Sequence, residues 1–378
     1  MIDYLSLESS AHGCIEQVLL TIPSWVLRYQ RQEEIRGTAA VFRSILESMD
    51  VAVQFVVITH EEGVPLLTEW LEDIVVQERT KIIAFANRTK MSVWAEDSFT
   101  VCADRTGQRW VLNPCSQEHI GTAPVARVVA ERSGWNYVDI GQHLQSGNIL
   151  VGDDFWFLGG DALQEASVPE IVDESRTLIP IVSSVPVPGF DGSFEDLEVA
   201  RDENVRRECR YRGNCESTVQ PVFHIDTFLT LAGRGLDGRY RVLVGDPAMA
   251  ADALEMEVPE HAMREVFDDI AAQLSRLEFE VVRNPLPLVY QDNHITKTRL
   301  WYFASANNAL VEIDGERKTV WLPTYGHSEW VKLEATDRIN EDIWRRLGFE
   351  TRTLGDFHPF ALNLGALRCM AKCLTRSR

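Results

Sequence analysis

Four short stretches of the chain hold residue types that could carry out chemistry. In PVFHIDTFLTLAG, Pro221 to Gly233, His224 and Asp226 stand two residues apart. On a β-strand that spacing turns both side chains to one face, so an imidazole and a carboxylate can converge on one ligand. An isolated His-x-Asp reads equally as half of a metal site or as a structural histidine. A metal site needs further ligands at telling spacings, and neither His-Glu-x-x-His nor His-x-His occurs. Near the C-terminus, in ALNLGALRCMAKCL, Cys369 follows the small residues Gly365 and Ala366. Small residues let the backbone approach a ligand closely and leave a thiol accessible, although a free cysteine more often packs as a small hydrophobe.

The other two stretches are weaker alone. SVWAEDSFTV sets Asp97 between Trp94 and a strand-like run, an ordinary place for an acid in a turn. HLQSGNILVGDDFWFLGGD reads as a hairpin led by Gly147 and Asn148, with turn residues at Gly152, Asp153 and Asp154.

These residues need elements to position them. EQVLLTIPS and VAVQFVVIT predict strands flanking a helix from about Tyr29 to Met49, and KIIAFANR, SFTVCAD and RWVLNP predict further short strands. Helical patterns recur over Gly63 to Ile74, Ala123 to Gly134, His261 to Leu277 and Asn340 to Leu347. In the third of these, Met263, Val266, Phe267, Ile270, Ala271, Leu274 and Leu277 fall at helical spacing, which sets one stripe against a core. The result is an α/β chain of several β-rich units, each covered by a helix. No repeat shows in the residues, so any repeat has to be structural. Asp161 to Thr218 is the longest irregular region, acidic and rich in Pro and Gly before it turns basic at RRECRYRGN. It is expected to be an insertion over a site, within a single catalytic domain spanning the chain.

Composition narrows the partners. At 378 residues and 45% hydrophobic content, the chain can bury a substantial core. A formal charge of −20 argues against nucleic acid, whose phosphates need a basic face, and reads either as solubility or as a field that attracts small cations. No run of about 18 uncharged apolar residues exists to enter a membrane, and MIDYLSLESSAHG lacks the features of a signal peptide. The expected address is the cytoplasm. The cysteines Cys14, Cys102, Cys115, Cys209, Cys215, Cys369 and Cys373 form no C-x-x-C pair and no zinc spacing, so neither structural disulfides nor structural zinc is expected.

Taken together and in order, the four stretches resemble the guanidino-group-modifying superfamily: arginine and agmatine deiminases, peptidylarginine deiminases, dimethylarginine hydrolases and amidinotransferases. The matching positions are Trp94 to Asp97, Ser146 to Leu150, His224 to Asp226 and Gly365 to Cys369, and SANNALVEI with VWLPTYG looks like the segment such enzymes carry before the last cysteine. The sequence departs from the pattern at Glu96, where an arginine is common, at Gln145 and Ser146, where agmatine deiminase-like members have Glu-Gly, at Ala366, where glycine is usual, and at Arg368, where several members have histidine. The resemblance implies a pentein-type β/α propeller of about five ββαβ modules around a central pocket. It also implies Cys369 as nucleophile, His224 as proton shuttle, and Asp97 and Asp226 as holders of the guanidinium, with Trp94 and Asn148 lining the substrate.

That chemistry suits these residue types. A guanidinium stays protonated, its pKa being above roughly 12, so two carboxylates can hold the planar cation with its face toward a thiolate. Neighbouring positive charge, from His224 or from the bound cation, lowers a cysteine pKa from its free value of about 8.5. Attack by Cys369, departure of an amine protonated by His224, and hydrolysis of the resulting thiouronium complete the scheme without metal or organic cofactor. Hydrolysis is favoured by the Gly-Asn hairpin and the NNALVE and LPTYG runs. Transfer of the amidino group to an amine acceptor uses the same residues, and a catalytically silent guanidino-binding protein is the third reading. A cysteine peptidase also needs Cys and His, but its motifs are missing. Arg210 and Arg212, just before the His224 segment, are expected to hold an acidic group at the far end of the substrate, as in arginine, against the plainer reading of a solvated charged face. Assembly into a homo-oligomer is left open.

Overall fold

The computed structural model describes residues 4–114, 123–140, 144–160, 172–186, 207–209, 224–259, 262–293, 295 and 298–377. Five of the six sheets among these residues share one pattern: an antiparallel pair of strands, then a third strand parallel to the second. Thr100–Ala103, Arg109–Asn113 and Asn136–Asp139 form one such set. Ile149–Val151, Phe155–Gly159 and Thr177–Ile181 form the next. Leu229–Arg234, Tyr240–Asp246 and Glu280–Pro285 follow, then Leu310–Asp314, Arg317–Thr324 and Glu350–Asp356. The fifth joins the chain ends: Ala371–Arg376 pairs antiparallel with Ile15–Thr21, which runs parallel to Gln54–His60, and Thr80–Phe85 adds a fourth strand. A sixth sheet is built from Arg207–Cys209, Thr298–Phe303 and Leu288–Asn293.

Parallel neighbours need a crossover, and amphipathic helices supply it. Glu33–Ser48, Ala123–Ser133, Arg264–Arg276 and Glu334–Arg346 link second to third strands, and Val64–Asp73 links Gln54–His60 to Thr80–Phe85. In Arg264–Arg276 the residues Val266, Phe267, Ile270, Ala271 and Leu274 are buried, as their spacing requires. Each large one among them contributes about 1.5–3 kcal/mol. Leu277 belongs to the same sequence stripe but is 53% exposed, because it caps the helix beyond its last turn. The helix expected from Asn340 begins at Glu334. Its first turn carries Glu334 and Asp337 and shows no apolar periodicity, although Asp337 is fixed there by N–H bonds from Tyr325 and Gly326 at 2.9 and 2.7 Å.

Much of the expected insertion lies outside the described residues, but Thr177–Ile181 within it is a strand of the second sheet, not loop. Among the described residues no helix is long and apolar enough to cross a membrane.

Candidate active site

Asp97, Asn148, Asp226 and Cys369 each stand on a short turn immediately before the leading strand of one of the five sheets. Asp97 lies in the 3-10 turn Glu96–Ser98 ahead of Thr100–Ala103, and Asn148 in Ser146–Asn148 ahead of Ile149–Val151. Ser146 Oγ ties these turns together through Phe99 O at 2.7 Å and Thr100 Oγ1 at 2.9 Å. Asp226 lies in the turn Ile225–Thr227, and Cys369 in the one-turn helix Leu367–Met370 that leads into Ala371–Arg376. These turns touch one another: Glu96–Ser98 meets both Ser146–Asn148 and Leu367–Met370, and Ser146–Asn148 meets Ile225–Thr227.

The expectation that His224 and Asp226 share a strand is corrected here. His224 sits at φ 49°, ψ 103°, and the strand begins only at Leu229. Thr227 donates to the His224 carbonyl from its backbone N at 2.9 Å and from Oγ1 at 2.7 Å, and this local bonding replaces a sheet ladder. A positive φ on a residue other than glycine costs of order 1–3 kcal/mol, so the surroundings must hold it. The imidazole Nδ1 is 3.8 Å from Asp97 Oδ1, and Nε2 hydrogen-bonds Gln145 Oε1. A Cβ on Gly147 would fall 2.5 Å from Nδ1, so the bare glycine backbone lets this turn lie against the ring.

Cys369 is 3% exposed. Its turn opens at Leu364, φ 68°, and a Cβ on Gly365 would lie 2.5 Å from the Trp94 ring and 3.1 Å from Cys369 Cβ. The half-buried indole therefore packs where that turn has no side chain. The sulfur is 3.1 Å from Asn308 Nδ2 and 3.9 Å from Asp226 Oδ2. Asn308 also accepts from the backbone N–H of Ala366 at 3.0 Å and of Cys369 at 3.2 Å.

Glu96, Asp97 and Asp226 are all buried, at 6%, 5% and 0% exposure. Two cations face them. Arg368 lies 3.4 Å from Glu96 Oε1 and 3.3 Å from Asp226 Oδ2, while Lys372 lies 3.3 Å from Glu96 Oε2 and over the Phe99 ring. With every group ionised, this cluster carries one uncompensated negative charge. Among the described residues, no hydrogen-bond partner reaches Asp97 Oδ1 or Asp226 Oδ1. Buried acceptors left so are costly, and a bound planar cation with several N–H donors would relieve both. Burial, with Asp226 and Glu96 close by, pushes the Asp97 carboxyl well above the usual range. Burial lifts Asp226 to about 7, although Arg368 pulls it down. Burial and the two carboxylates push the Cys369 thiol up as well. Positive charge brought between these groups acts on all three in the same direction, favouring carboxylates and thiolate.

Asp97, Asn148, Asp226 and Cys369 are thus placed on adjoining turns, with His224 at the start of the Asp226 turn and Trp94 packed against Gly365. Arg210 and Arg212 lie outside the described residues. Sequence reasoning noted Glu96 and Arg368 as separate departures, yet they are one feature, since the two side chains form an ion pair across the site. It missed Lys372 and Asn308. The available signals were a lysine inside the otherwise apolar run before Leu374, and paired asparagines directly ahead of the buried strand Leu310–Asp314. His358 is satisfied structurally, by the Tyr302 hydroxyl at 2.7 Å and the Tyr325 carbonyl at 2.9 Å.

No family model and no curated protein matches the sequence. Solved structures do. The chain is similar to the agmatine deiminase of C. jejuni, with 13% identity and a TM-score of 0.63 over 97% of this chain and 95% of that one. It is similar to a cysteine-to-serine variant of that enzyme with substrate bound, with 13% identity and a TM-score of 0.60 over 99% and 97%. The agmatine deiminase of Enterococcus faecalis gives 11% identity and a TM-score of 0.61 over 98% and 95%. The chain has the fold of these deiminases along nearly its whole length.

Proposed function

We propose that this chain, folded like the agmatine deiminases, is a cysteine-dependent hydrolase of guanidino compounds. The observation that carries the reading is the pair of buried carboxylate oxygens of Asp97 and Asp226 that accept no hydrogen bond among the described residues, in a cluster one positive charge short of balance that sets Asp226 Oδ2 3.9 Å from the Cys369 sulfur. The five repeated sheet units are read as the modules of a pentein propeller within one catalytic domain, their leading turns lining a central pocket.

In this reading Asp97 and Asp226 accept paired N–H bonds from the guanidinium, and Trp94 and Asn148 shape its surroundings. The added cation favours the Cys369 thiolate, which attacks the guanidinium carbon. The tetrahedral centre collapses as its C–N bond breaks, and His224 protonates the departing ammonia, leaving a thiouronium on sulfur. His224 then takes a proton from water as the new C–O bond forms. The C–S bond breaks, the electron pair returns to sulfur, the remaining hydroxyl proton passes through solvent to the released ammonia, and the neutral ureido product leaves. Guanidinium plus water thereby gives ureido product plus ammonium. Arg210 and Arg212 are proposed to favour a substrate with an acidic far end.

A panel of guanidino compounds, including arginine and agmatine, assayed for ureido product and ammonia with and without glycine or ornithine, tests the proposal. Stoichiometric ammonia and ureido product without an acceptor are expected. Turnover only with an amine acceptor would assign amidino transfer, and no turnover with any compound would favour a binding protein.

A further inference from the structure

Asn308 is 0% exposed, and every hydrogen-bonding position of its carboxamide is in use. Oδ1 accepts from Ala366 N and Cys369 N at 3.0 and 3.2 Å. The two hydrogens of Nδ2 are directed at Cys369 Sγ, 3.1 Å away, and at the Asp226 backbone carbonyl, 3.3 Å away. Turning the amide over would set NH2 against two N–H donors and oxygen against a carbonyl, so the observed orientation is the one the surroundings permit. The backbone is held too, because Arg368 N donates to Asn308 O at 3.2 Å. The residue therefore fixes the nucleophile's turn with one end of its amide and addresses the sulfur with the other.

We infer that Asn308 is a catalytic residue, its carboxamide N–H being the preorganised donor that holds negative charge on the Cys369 sulfur. The inference rests on the reading of Cys369 as nucleophile. Asp226 Oδ2 lies 3.9 Å from that sulfur, so a thiolate there forms against like charge. A lysine or arginine in this position would answer the repulsion but compete with a cationic substrate for Asp97 and Asp226. A neutral amide donor supports the thiolate and leaves both carboxylates to the substrate. It acts at both ends of the reaction: when the thiol loses its proton and bonds to carbon, and when the C–S bond breaks and sulfur recovers its electron pair. Because the donor is fixed by three other bonds, no reorganisation accompanies either event.

The test is the ionisation of Cys369, read from the ultraviolet absorbance of the thiolate as the difference between each protein and its Cys369→Ser counterpart across pH. Asn308→Ala removes donor and acceptor without adding charge. Asn308→Leu fills much the same volume with neither donor nor charge, and it carries the test if Asn308→Ala does not fold. In each folded variant the thiolate titration is expected to move up by about one pH unit, the worth of a hydrogen bond to a charged group. With a substrate in hand, kcat is expected to fall about tenfold to a hundredfold in Asn308→Ala with little change in KM. A thiolate titration indistinguishable from wild type in Asn308→Ala overturns the inference, and if Asn308→Leu is the only folded variant, an unchanged titration there overturns it likewise. The absorbance needs no substrate, so a failure of the deiminase reading and a failure of the Asn308 assignment are seen separately.

Discussion

Asp226 feels two opposing pulls. Burial lifts its carboxyl to about 7 while Arg368, 3.3 Å from Oδ2, draws it down. In the proposed reaction the ionised form is the one that holds a guanidinium, so kcat/KM is expected to rise with pH through about 7, a profile that reports the free enzyme. Steady-state rates at low substrate across pH check this, and a profile flat between pH 6 and 8 would remove Asp226 from substrate binding. The same shift acts on stability with a definite sign. A carboxyl raised from 3.8 to about 7 makes the folded state bind more protons than the unfolded one between those values, so stability falls as pH rises through that window. Asp226→Asn cannot ionise and should melt at a higher temperature than wild type at pH 8, with the gain vanishing toward the acid end of the window. Thermal melts at several pH values measure it. Its activity should meanwhile drop by roughly two to four orders of magnitude in kcat/KM.

At the scale of elements, single turns ahead of strands carry the groups proposed to react. Gly147 lies so close to the imidazole that an alanine Cβ would stand 2.5 Å from Nδ1. Gly147→Ala is expected to displace His224 and to lower kcat by about a hundredfold while the melting temperature moves little, since a shift of about 1 Å in a reacting group has that effect. Kinetics and melts on one preparation separate the two effects, and equal losses in both would show that Gly147 serves folding alone. These turns also mark how far the sequence could be read. Strands such as Gln54–His60 and the stripe Val266 to Leu274 were legible because burial imposes a period on residue types. His224 was legible as a residue but not as a conformation: PVFHIDTFLTLAG has the composition of a strand, and only the Thr227 bonds to the His224 carbonyl reveal the turn. Asn308 was illegible as a partner of Cys369 because the two are 61 residues apart in the chain, and no local pattern encodes which turns adjoin.

Across the whole molecule, the last strand, Ala371–Arg376, pairs with Ile15–Thr21 near the N-terminus, so the strand that follows the Cys369 turn is held by an element from the far end of the sequence. The formal charge of −20 surrounds a cluster that itself lacks one positive charge. A cationic substrate should be drawn by this field, and its KM should rise with added salt while kcat stays nearly constant, because screening weakens long-range attraction more than buried contacts. A KM unmoved by salt would show that net charge serves solubility alone. The central claim is a covalent bond between substrate carbon and the Cys369 sulfur. Acid quenching during turnover, followed by mass spectrometry of the peptide bearing Cys369, tests it most directly: the amidino adduct should appear on Cys369 in wild type and be missing, together with turnover, in Cys369→Ala, whereas turnover that persists in Cys369→Ala would contradict it.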